Sequence, residues 1–255
     1  MSFEALRSSG SSLKNIQTGI DTVAHNIANV NTTGYKQKTV NFESVVSNYG
    51  ESKLSGTAVN SITSNWGQGR IKVTSNFTDL MLQGQGFFSL QDPSGNLVYT
   101  RAGHFLMDRD GALVNPEGHF VMSVGGGKIL MPLEATQVEI NTAGEVRALL
   151  PGALEFTPVD QIQIANFANP QGLHNVGDNN FAPTENSGEA EFSTALGQGT
   201  STATTELLSG ALESSNADLS GSLTEMIAYQ RSYQAVARSA TTANDVLETT
   251  INLTR

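Results

Sequence analysis

The sequence predicts an α+β fold, in which N- and C-terminal coiled-coil helices form a paired helical domain and the chain between them forms a central antiparallel β-rich domain. At both ends of the 255-residue chain, apolar residues recur every seven positions, as on helices that pack along one continuous stripe. In the middle, short apolar runs follow turn signals that contain Gly, Asp or Asn, which is typical of antiparallel strands. An ordinary domain with an intramolecular helix pair on one face is the alternative interpretation.

The first helix is predicted from about Phe3 to Val30. Ser2 can cap it, because a serine hydroxyl accepts a hydrogen bond from the free N–H groups of the first helical turn. The polar segment that starts at Asn29 ends the helix, and Gly34 is expected to adopt a positive φ there. The apolar seam has two rows, with Leu6, Leu13, Ile20 and Ile27 in one and Ile16, Val23 and Val30 in the other.

The last helix is predicted from about Ser214 to Leu253, and its N-cap candidates are Asn216, Asp218 and a capping box of Ser222 with Glu225. One row of its seam is expected at Leu212, Leu219, Met226, Tyr233, Ala240 and Leu247. The second row is expected at Leu223, Gln230, Ala237, Asn244 and Ile251. The polar members of this stripe can specify helix register at some cost in stability. Together with the first helix, these rows predict the assembly interface.

Between the helices, composition divides the chain into further parts. Residues 37–76 are rich in Ser, Thr, Asn and Gly, and we expect an extended polar connection with at most a few short strands. Residues 77–184 contain turn signals that end at Gly95, Gly111 and Gly118, and they predict an antiparallel meander. The predicted parts are thus 1–36 (N-terminal helix), 37–76 (connection), 77–184 (β-rich domain), 185–209 (linker) and 210–255 (C-terminal helix).

Charge and composition argue against several functions. The formal net charge is −10 with only 14 Lys and Arg, so neither nucleic acid nor a membrane surface is an expected partner. The start of the chain has no secretory-signal pattern, and no apolar run is long enough for direct membrane insertion. There is no cysteine, and the four histidines share no metal-ligand spacing. No catalytic motif is present, so we expect neither an enzyme nor a bound cofactor or metal.

A series of motifs resembles the bacterial flagellar rod and hook axial proteins. The matching stretches, in chain order, are residues 26–36, 84–88, 99–105, 110–114, 165–173, 210–219 and 226–233. Both ends and most of the middle are therefore covered. The motif positions singled out by this resemblance are Asn29, Asn31, Gly34, Tyr35, Lys36, Gly84, Gly86, Phe87, Gly210, Asn216, Asp218 and Arg231.

The resemblance implies a structural subunit of the basal-body rod, whose terminal helices polymerise into a tubular, torque-transmitting shaft and export channel. Its implied partners are other copies of itself, neighbouring axial proteins, the flagellar export apparatus and envelope rings. It also implies export without a cleaved signal peptide. The length favours a rod protein, and a short hook-type or hook–rod junction protein ranks second. A secreted β-domain binding protein or enzyme is the alternative of another class.

Overall fold

A computed structural model describes residues 2–49, 52–153, 155–195 and 205–253 of the chain. The chain divides into two compact units. Unit 1 comprises Met1–Val30, Gln37–Asn65 and Ala217–Arg255, and unit 2 comprises Asn31–Lys36 and Trp66–Asn216. Each unit is therefore discontinuous in sequence. Within the described ranges, neither helix has the length and apolar character needed to cross a membrane.

The described residues form two α-helices, one short 3₁₀ helix and a set of β-strands. The helices are α1 (Ser2–Ala28), α2 (Leu219–Leu253) and the 3₁₀ helix Pro170–Gly172. The strands of the first half are β1 (Lys38–Tyr49), β2 (Ser52–Ser64), β3 (Ile71–Val73), β4 (Leu80–Gln83), β5 (Phe87–Gln91), β6 (Leu97–Thr100), β7 (Leu106–Met107), β8 (Leu113–Val114) and β9 (Phe120–Val121). Those of the second half are β10 (Gln137–Ile140), β11 (Glu145–Leu149), β12 (Thr157–Gln161), β13 (Ile164–Asn166), β14 (His174–Gly177), β15 (Asn180–Ala182), β16 (Glu191–Ser193), β17 (Glu206–Ser209) and β18 (Ala211–Glu213).

In unit 1, the end of α1 is fixed to the start of β1 by one buried side chain. The Asn26 amide donates to the Lys38 carbonyl at 2.8 Å, and its oxygen accepts from the Lys38 N–H at 2.9 Å. Asn29 follows, and its backbone N–H donates to the His25 carbonyl. This reciprocal pair satisfies both backbone groups of the first strand residue, so the chain leaves the helix in a defined direction.

The start of α2 corrects two expectations. Its N-cap is Asp218, whose carboxylate accepts hydrogen bonds from Ser220 N and Gly221 N, each at 3.1 Å. The capping-box alternative at Ser222 is therefore wrong, because the helix already begins at Leu219. Leu212 was also placed on the helix, but it lies in strand β18, where pairing with β3 holds the backbone extended.

The largest correction concerns the polar stretch after α1. It was predicted to hold at most a few short strands, yet β1 and β2 form a long antiparallel hairpin that pairs Lys38 with Ser64. The stretch contains few large apolar residues, so hydrophobic alternation hardly marks it. Its Thr, Val and Ser residues instead suit an exposed ribbon held by backbone pairing. Cross-strand bonds add to this, since the Asn41 amide donates to Ser61 Oγ and Thr63 Oγ1.

The two helices of unit 1 contact each other at a glycine. A Cβ built on Gly19 of α1 would lie 3.0 Å from the ring of Tyr229 on α2. The same tyrosine ring lies 6.3 Å from the ring of Phe42 on β1. Val23, one helical turn beyond Gly19, is buried. The absence of a side chain at Gly19 therefore makes room for an aromatic ring where α1, β1 and α2 meet.

Unit 2 is built from antiparallel sheets. The largest has the strand order β14-β15-β6-β5-β9-β8-β7, and β13 joins it by pairing with both β5 and β16. The order β10-β11-β12 forms a second sheet, and the pairs β17–β4 and β18–β3 bring distant parts of the chain together. The predicted turns are present, with Gly95, Gly111 and Gly118 each closing one through its N–H. The predicted simple meander is wrong, because β9 returns to pair with β5.

Two clusters of buried side chains form the interior of unit 2. The larger is mainly aliphatic and includes Leu80, Leu90, Leu113, Ile162 and Leu207. The smaller is aromatic and contains Phe87, Tyr99, Ala165, Phe167 and Phe181, with Trp66 packed against it. Strand β5 contributes to both, because successive side chains of a strand point to opposite faces of the sheet.

Candidate assembly face and buried ion cluster

Helix α2 exposes many of its large apolar side chains. Their exposed fractions range from 38% at Tyr233 to 81% at Leu253. Leu219, Leu223 and Ile227 follow one another at four-residue intervals, so they form a continuous strip along the first two turns. We call this strip, together with the exposed side chains of Tyr233 and Ile251 near the same side of the helix, the α2 apolar face. Val246 and Leu253 are exposed on the opposite side of α2. A single copy of the chain leaves the α2 apolar face in water, which is unusual unless another molecule covers it.

The predicted seam residues of α2 separate into two groups. Half-buried members are Met226, Ala237, Ala240 and Leu247, and exposed members are Leu219, Leu223, Gln230, Tyr233, Asn244 and Ile251. On α1, Val23 is buried, while Leu13, Ile16, Ile20 and Ile27 are half-buried. Val30, also half-buried, lies beyond the end of α1 at Ala28, so its predicted place on the helix is wrong. The side chain of Leu6 lies outside the described part of the structure. Within one copy, then, the helices cover only part of the predicted seam, and its role in assembly stays a prediction.

Unit 2 contains a buried ion cluster formed by Lys36, Arg101 and Glu213. Lys36 Nζ donates to Glu213 Oε1 at 2.6 Å, and Arg101 Nη1 lies 3.7 Å from Glu213 Oε2. The three side chains are between 1% and 5% exposed. Two cations therefore share one carboxylate, and all three side chains are largely shielded from water.

Backbone groups complete the surroundings of this cluster. Glu213 Oε1 also accepts from the Gly69 N–H at 2.7 Å, and Lys36 Nζ donates to the Gly67 carbonyl at 2.9 Å. Arg101 Nη2 donates to the Gly84 carbonyl at 2.8 Å. These bonds partly replace the water that each charged group loses on burial, which an ion pair needs if it is to be stable in the interior.

Burial and the neighbouring carboxylate shift the pKa values of Lys36 and Arg101 in opposite directions. Burial lowers the pKa of Lys36, and the adjacent Glu213 carboxylate counteracts this shift by favouring the ammonium form. Burial likewise lowers the pKa of Arg101, again against the attraction of Glu213. The guanidinium stays protonated at physiological pH because its ordinary pKa is so high.

Beside the cluster, three segments that are far apart in sequence are bonded to one another. The Gly34 N–H donates to the Glu213 carbonyl at 2.8 Å, and the Asn216 amide donates to the Gly67 carbonyl at 2.8 Å. The Tyr35 carbonyl accepts from the Asn216 N–H at 3.4 Å. The segments 31–36, 66–70 and 210–216 are thus joined by backbone and side-chain bonds.

The structure brings some of the motif positions together and leaves others apart. Gly34, Tyr35, Lys36, Gly84 and Asn216 all contribute to the ion cluster or to its backbone bonds. Elsewhere in unit 2, Phe87 belongs to the aromatic cluster, Gly86 packs against Ile164, and the Gly210 N–H donates to the Asp79 carbonyl. Asn31 is exposed. In unit 1, Asn29 lies at the end of α1, Asp218 caps α2 and Arg231 is exposed.

Sequence reasoning assigned no role to three residues that the structure shows to be central. Arg101 and Glu213 complete the ion cluster, and Asn26 fixes the end of α1. All three are polar residues inside the motif stretches, and all three are buried. The available signal was the presence of a charged or amide side chain inside a motif that also contains glycine and aromatic residues. Such a side chain needs a partner if it is buried, but residue spacing could not identify that partner.

Comparison with known families gives matches along the chain. The model described as "Flagella basal body rod protein" matches residues 6–36. "Flagellar hook protein FlgE/F/G D1 domain" matches residues 81–148, and "Flagellar basal body rod FlgEFG protein C-terminal" matches residues 208–253. The ion cluster draws one residue from each of these three matched segments.

Whole-chain relatives agree with these matches. The flagellar basal-body rod protein FlgG of Bacillus subtilis is 35% identical, over 98% of this chain and 99% of its own length. FlgG of Caulobacter vibrioides is 31% identical over 98% of this chain and 99% of its own length. The flagellar hook protein FlgE of Brucella abortus is 34% identical over only 59% of this chain and 42% of its own length. The chain therefore belongs to the family of flagellar rod and hook proteins, which are structural subunits of the axial part of the flagellum.

Proposed function

We propose that this protein is a rod subunit that polymerises through its terminal helices into a tubular, torque-transmitting shaft. The α2 apolar face is the observation that carries this proposal. Five large apolar side chains lie exposed in a single copy along one side of this 35-residue helix. Covering them with helices of neighbouring copies removes apolar surface from water, at about 25 cal/mol per Å². A contact that repeats from copy to copy without closing on itself produces a filament.

The arrangement within unit 1 supports coiled-coil pairing as the mode of contact. The half-buried row Met226, Ala237, Ala240 and Leu247 recurs at intervals of three, seven and eleven residues, as a heptad pattern requires. Small residues in this row allow close approach of neighbouring helices. The proposed assembly partners are other copies of the chain and neighbouring axial proteins. We also propose contacts with the export apparatus and with the envelope rings. Export without a cleaved signal peptide belongs to the same proposal.

Full-length similarity supports a rod subunit over a hook subunit. The rod relatives align over nearly their whole length, whereas the hook relative aligns over less than half of its own. A short hook-type or hook–rod junction protein remains the second candidate within the family.

The experiment compares two aspartate substitutions on α2. Leu223→Asp places a charge in the α2 apolar face, and Ser232→Asp places the same charge at an exposed polar position of the same helix. We expect the first variant to remain in the supernatant under conditions in which the wild type and the second variant sediment as polymer. Circular dichroism of the dilute monomers tests whether all three have equal helix content. Normal polymerisation of Leu223→Asp would show that this face is not the assembly interface.

A further inference from the structure

We propose that a cavity in unit 2 binds an acidic side chain from a second copy of this chain. The cavity has a volume of about 560 Å³, which lies within the usual range for ligand pockets. Trp66, Phe87, Arg101 and Phe167 line its inner part, and Glu191 lies exposed at its rim. The inference rests on the proposed function, because a polymer holds a second copy within reach.

The aromatic part of the wall is held in place by ring contacts. The Trp66 ring lies 5.1 Å from both the Phe87 ring and the Phe181 ring, in edge-on arrangements. Phe87 in turn lies 5.7 Å from Phe167. Edge-to-face contacts of this kind favour one arrangement of the rings, so the cavity is largely formed before anything enters it.

The wall holds hydrogen-bond donors of Arg101 and Trp66 that lack acceptors among the described residues, and it also holds acceptors, such as the carboxamide oxygen of Asn166 and the carbonyl of Gly67. Arg101 uses Nη2 to bond the Gly84 carbonyl, and its Nε has no hydrogen-bond partner among the described residues. Its Nη1 also makes no hydrogen bond within this part of the chain, although it lies 3.7 Å from Glu213 Oε2 in the ion pair. The indole Nε1 of Trp66 is also buried and has no hydrogen-bond partner within that part of the chain. A buried donor without an acceptor costs about 1–3 kcal/mol. A carboxylate in the cavity supplies two acceptor oxygens, and the side chains of Arg101 and Trp66 must rotate to reach them, because their nitrogens are buried.

Charge favours an acid over a neutral acceptor. Lys36 and Arg101 share the single carboxylate of Glu213, so the cluster behind the cavity carries more positive than negative charge. Gly67, whose carbonyl accepts from Lys36, also lines the cavity. Glu191 opposes an entering acid, but it is exposed and therefore screened by salt.

The composition of the chain identifies the source of the acid. With 24 Asp and Glu against 14 Lys and Arg, the surface of a second copy presents acids in excess. Two copies would otherwise repel each other, so a positive cavity on each provides a specific attraction between like-charged subunits. Polymerisation also raises the effective concentration of the neighbouring side chain.

Trp66 is the single tryptophan of the chain, which makes the cavity directly observable. In the first experiment, the full-length monomer is titrated with N-acetylglutamate N-methylamide, and the indole N–H resonance and the fluorescence of Trp66 are followed. The matched probe is the glutamine analogue, which has nearly the same shape without the charge. We expect a saturable shift with the acid and none with the amide.

Two rim variants distinguish binding from a general effect on folding. Glu191→Gln removes the opposing charge and should tighten binding of the acid roughly threefold at low salt. Ala168→Leu narrows the cavity at an exposed position and should abolish the shift while the monomer stays folded. A monomer in which the acid and the amide give the same response would overturn the inference.

The second experiment records sedimentation and Trp66 fluorescence on the same polymerising sample. We expect the Trp66 signal to change as polymer forms and to stay constant in the Ala168→Leu variant. Polymer that forms without any change at Trp66 would overturn binding of a second copy, while the proposed function would stand. A chain that forms no polymer at all would instead contradict the proposed function, and the titration of the monomer then decides whether the cavity binds a carboxylate.

Discussion

Lys36 and Glu213 are 177 residues apart in the chain, yet their side chains form a buried ion pair with 2.6 Å between Nζ and Oε1. Lys36 follows the polar segment at the end of α1, and Glu213 lies a few residues before α2. The pair therefore joins, within unit 2, the two places where the chain leaves and re-enters the helical part. Its strength depends on low exposure and on backbone bonds, and this allows a quantitative prediction.

Glu213→Gln should lower the free energy of unfolding of unit 2 by about 3–5 kcal/mol, because it leaves two buried cations without a counter-ion. Lys36→Met should cost less, since Arg101 still balances the carboxylate. Urea unfolding followed by Trp66 fluorescence measures both. Glu145→Gln serves as the control, because Glu145 pairs with Arg147 at an exposed site and should matter little. Equal stability of Glu213→Gln and the wild type would show that the cluster does not hold unit 2 together.

Gly34→Ala should destabilise unit 2 more than Gly118→Ala. Both glycines have left-handed φ values, +69° and +88°, so each alanine costs about 1–2 kcal/mol of backbone strain. A Cβ at Gly34 would also lie 2.5 Å from the backbone nitrogen of Ala102, whereas nothing lies within 4 Å of a Cβ at Gly118. The added overpacking should cost about 1–3 kcal/mol more. The same urea titration tests this, and identical losses would contradict the close approach at Gly34.

Gly10→Ala should stabilise unit 1 more than Gly19→Ala does. Both are internal to α1, where alanine gains up to about 1 kcal/mol in helix propensity. Nothing lies within 4 Å of a Cβ at Gly10, but one at Gly19 meets the Tyr229 ring at 3.0 Å. We expect Gly10→Ala to raise the thermal midpoint measured by circular dichroism at 222 nm, and Gly19→Ala to lower it relative to that variant. If both rose equally, α1 and α2 would not be in contact at this point in solution.

Alkaline pH should destabilise unit 2 through its buried tyrosines. Burial raises the pKa of Tyr35 and of Tyr99 above the ordinary value. In the unfolded state, tyrosine loses its proton at about pH 10. The folded state holds these two protons to a higher pH, because the pKa values of both tyrosines are raised there. Their contribution to stability is complete below about pH 10 and is lost as the pH rises through the raised values. Lys36 acts in the opposite direction, because its pKa is lowered.

The measurement is the urea midpoint of Trp66 fluorescence between about pH 8 and pH 11. The double variant Tyr35→Phe, Tyr99→Phe should show a smaller loss than the wild type over this range. Tyr233→Phe, at an exposed position of α2, should leave the loss unchanged. A loss of the same size in the double variant would attribute the alkaline effect to other groups.

Local patterns predicted the helices and most turns, because their signals lie within a few residues of each other. The seven-residue spacing identified α1 and α2, and Asp218 was among the predicted caps. Long-range pairing was not predictable in this way. Leu212 fits the helical spacing, yet strand β3, some 140 residues earlier in the chain, holds it extended in β18. The β1–β2 hairpin was missed because its stability lies mainly in backbone pairing, to which the identity of side chains contributes little.

The candidate site shows the same limit. The motif positions around Lys36 and Asn216 were identified from the sequence. The buried ion cluster beside them was not predicted, because Arg101 and Glu213 belong to no periodic pattern of residues. A buried ion cluster depends on which segments the fold brings together, and this is a property of topology. Of the exposed apolar side chains of α2, four were predicted as part of the seam, namely Leu219, Leu223, Tyr233 and Ile251, and a single copy leaves them uncovered.

The pairing of β3 with β18 and of β4 with β17 also bears on chains that are cut short. Strands at residues 71–83 find their partners only at residues 206–213, so a chain that stops before residue 206 lacks both pairs and the carboxylate of Glu213. Such a fragment keeps Lys36 and Arg101 without their counter-ion and leaves two strand edges open. Completion of unit 2 thus depends on strands from both ends of the range 71–213, so a shortened chain cannot form the whole of this unit.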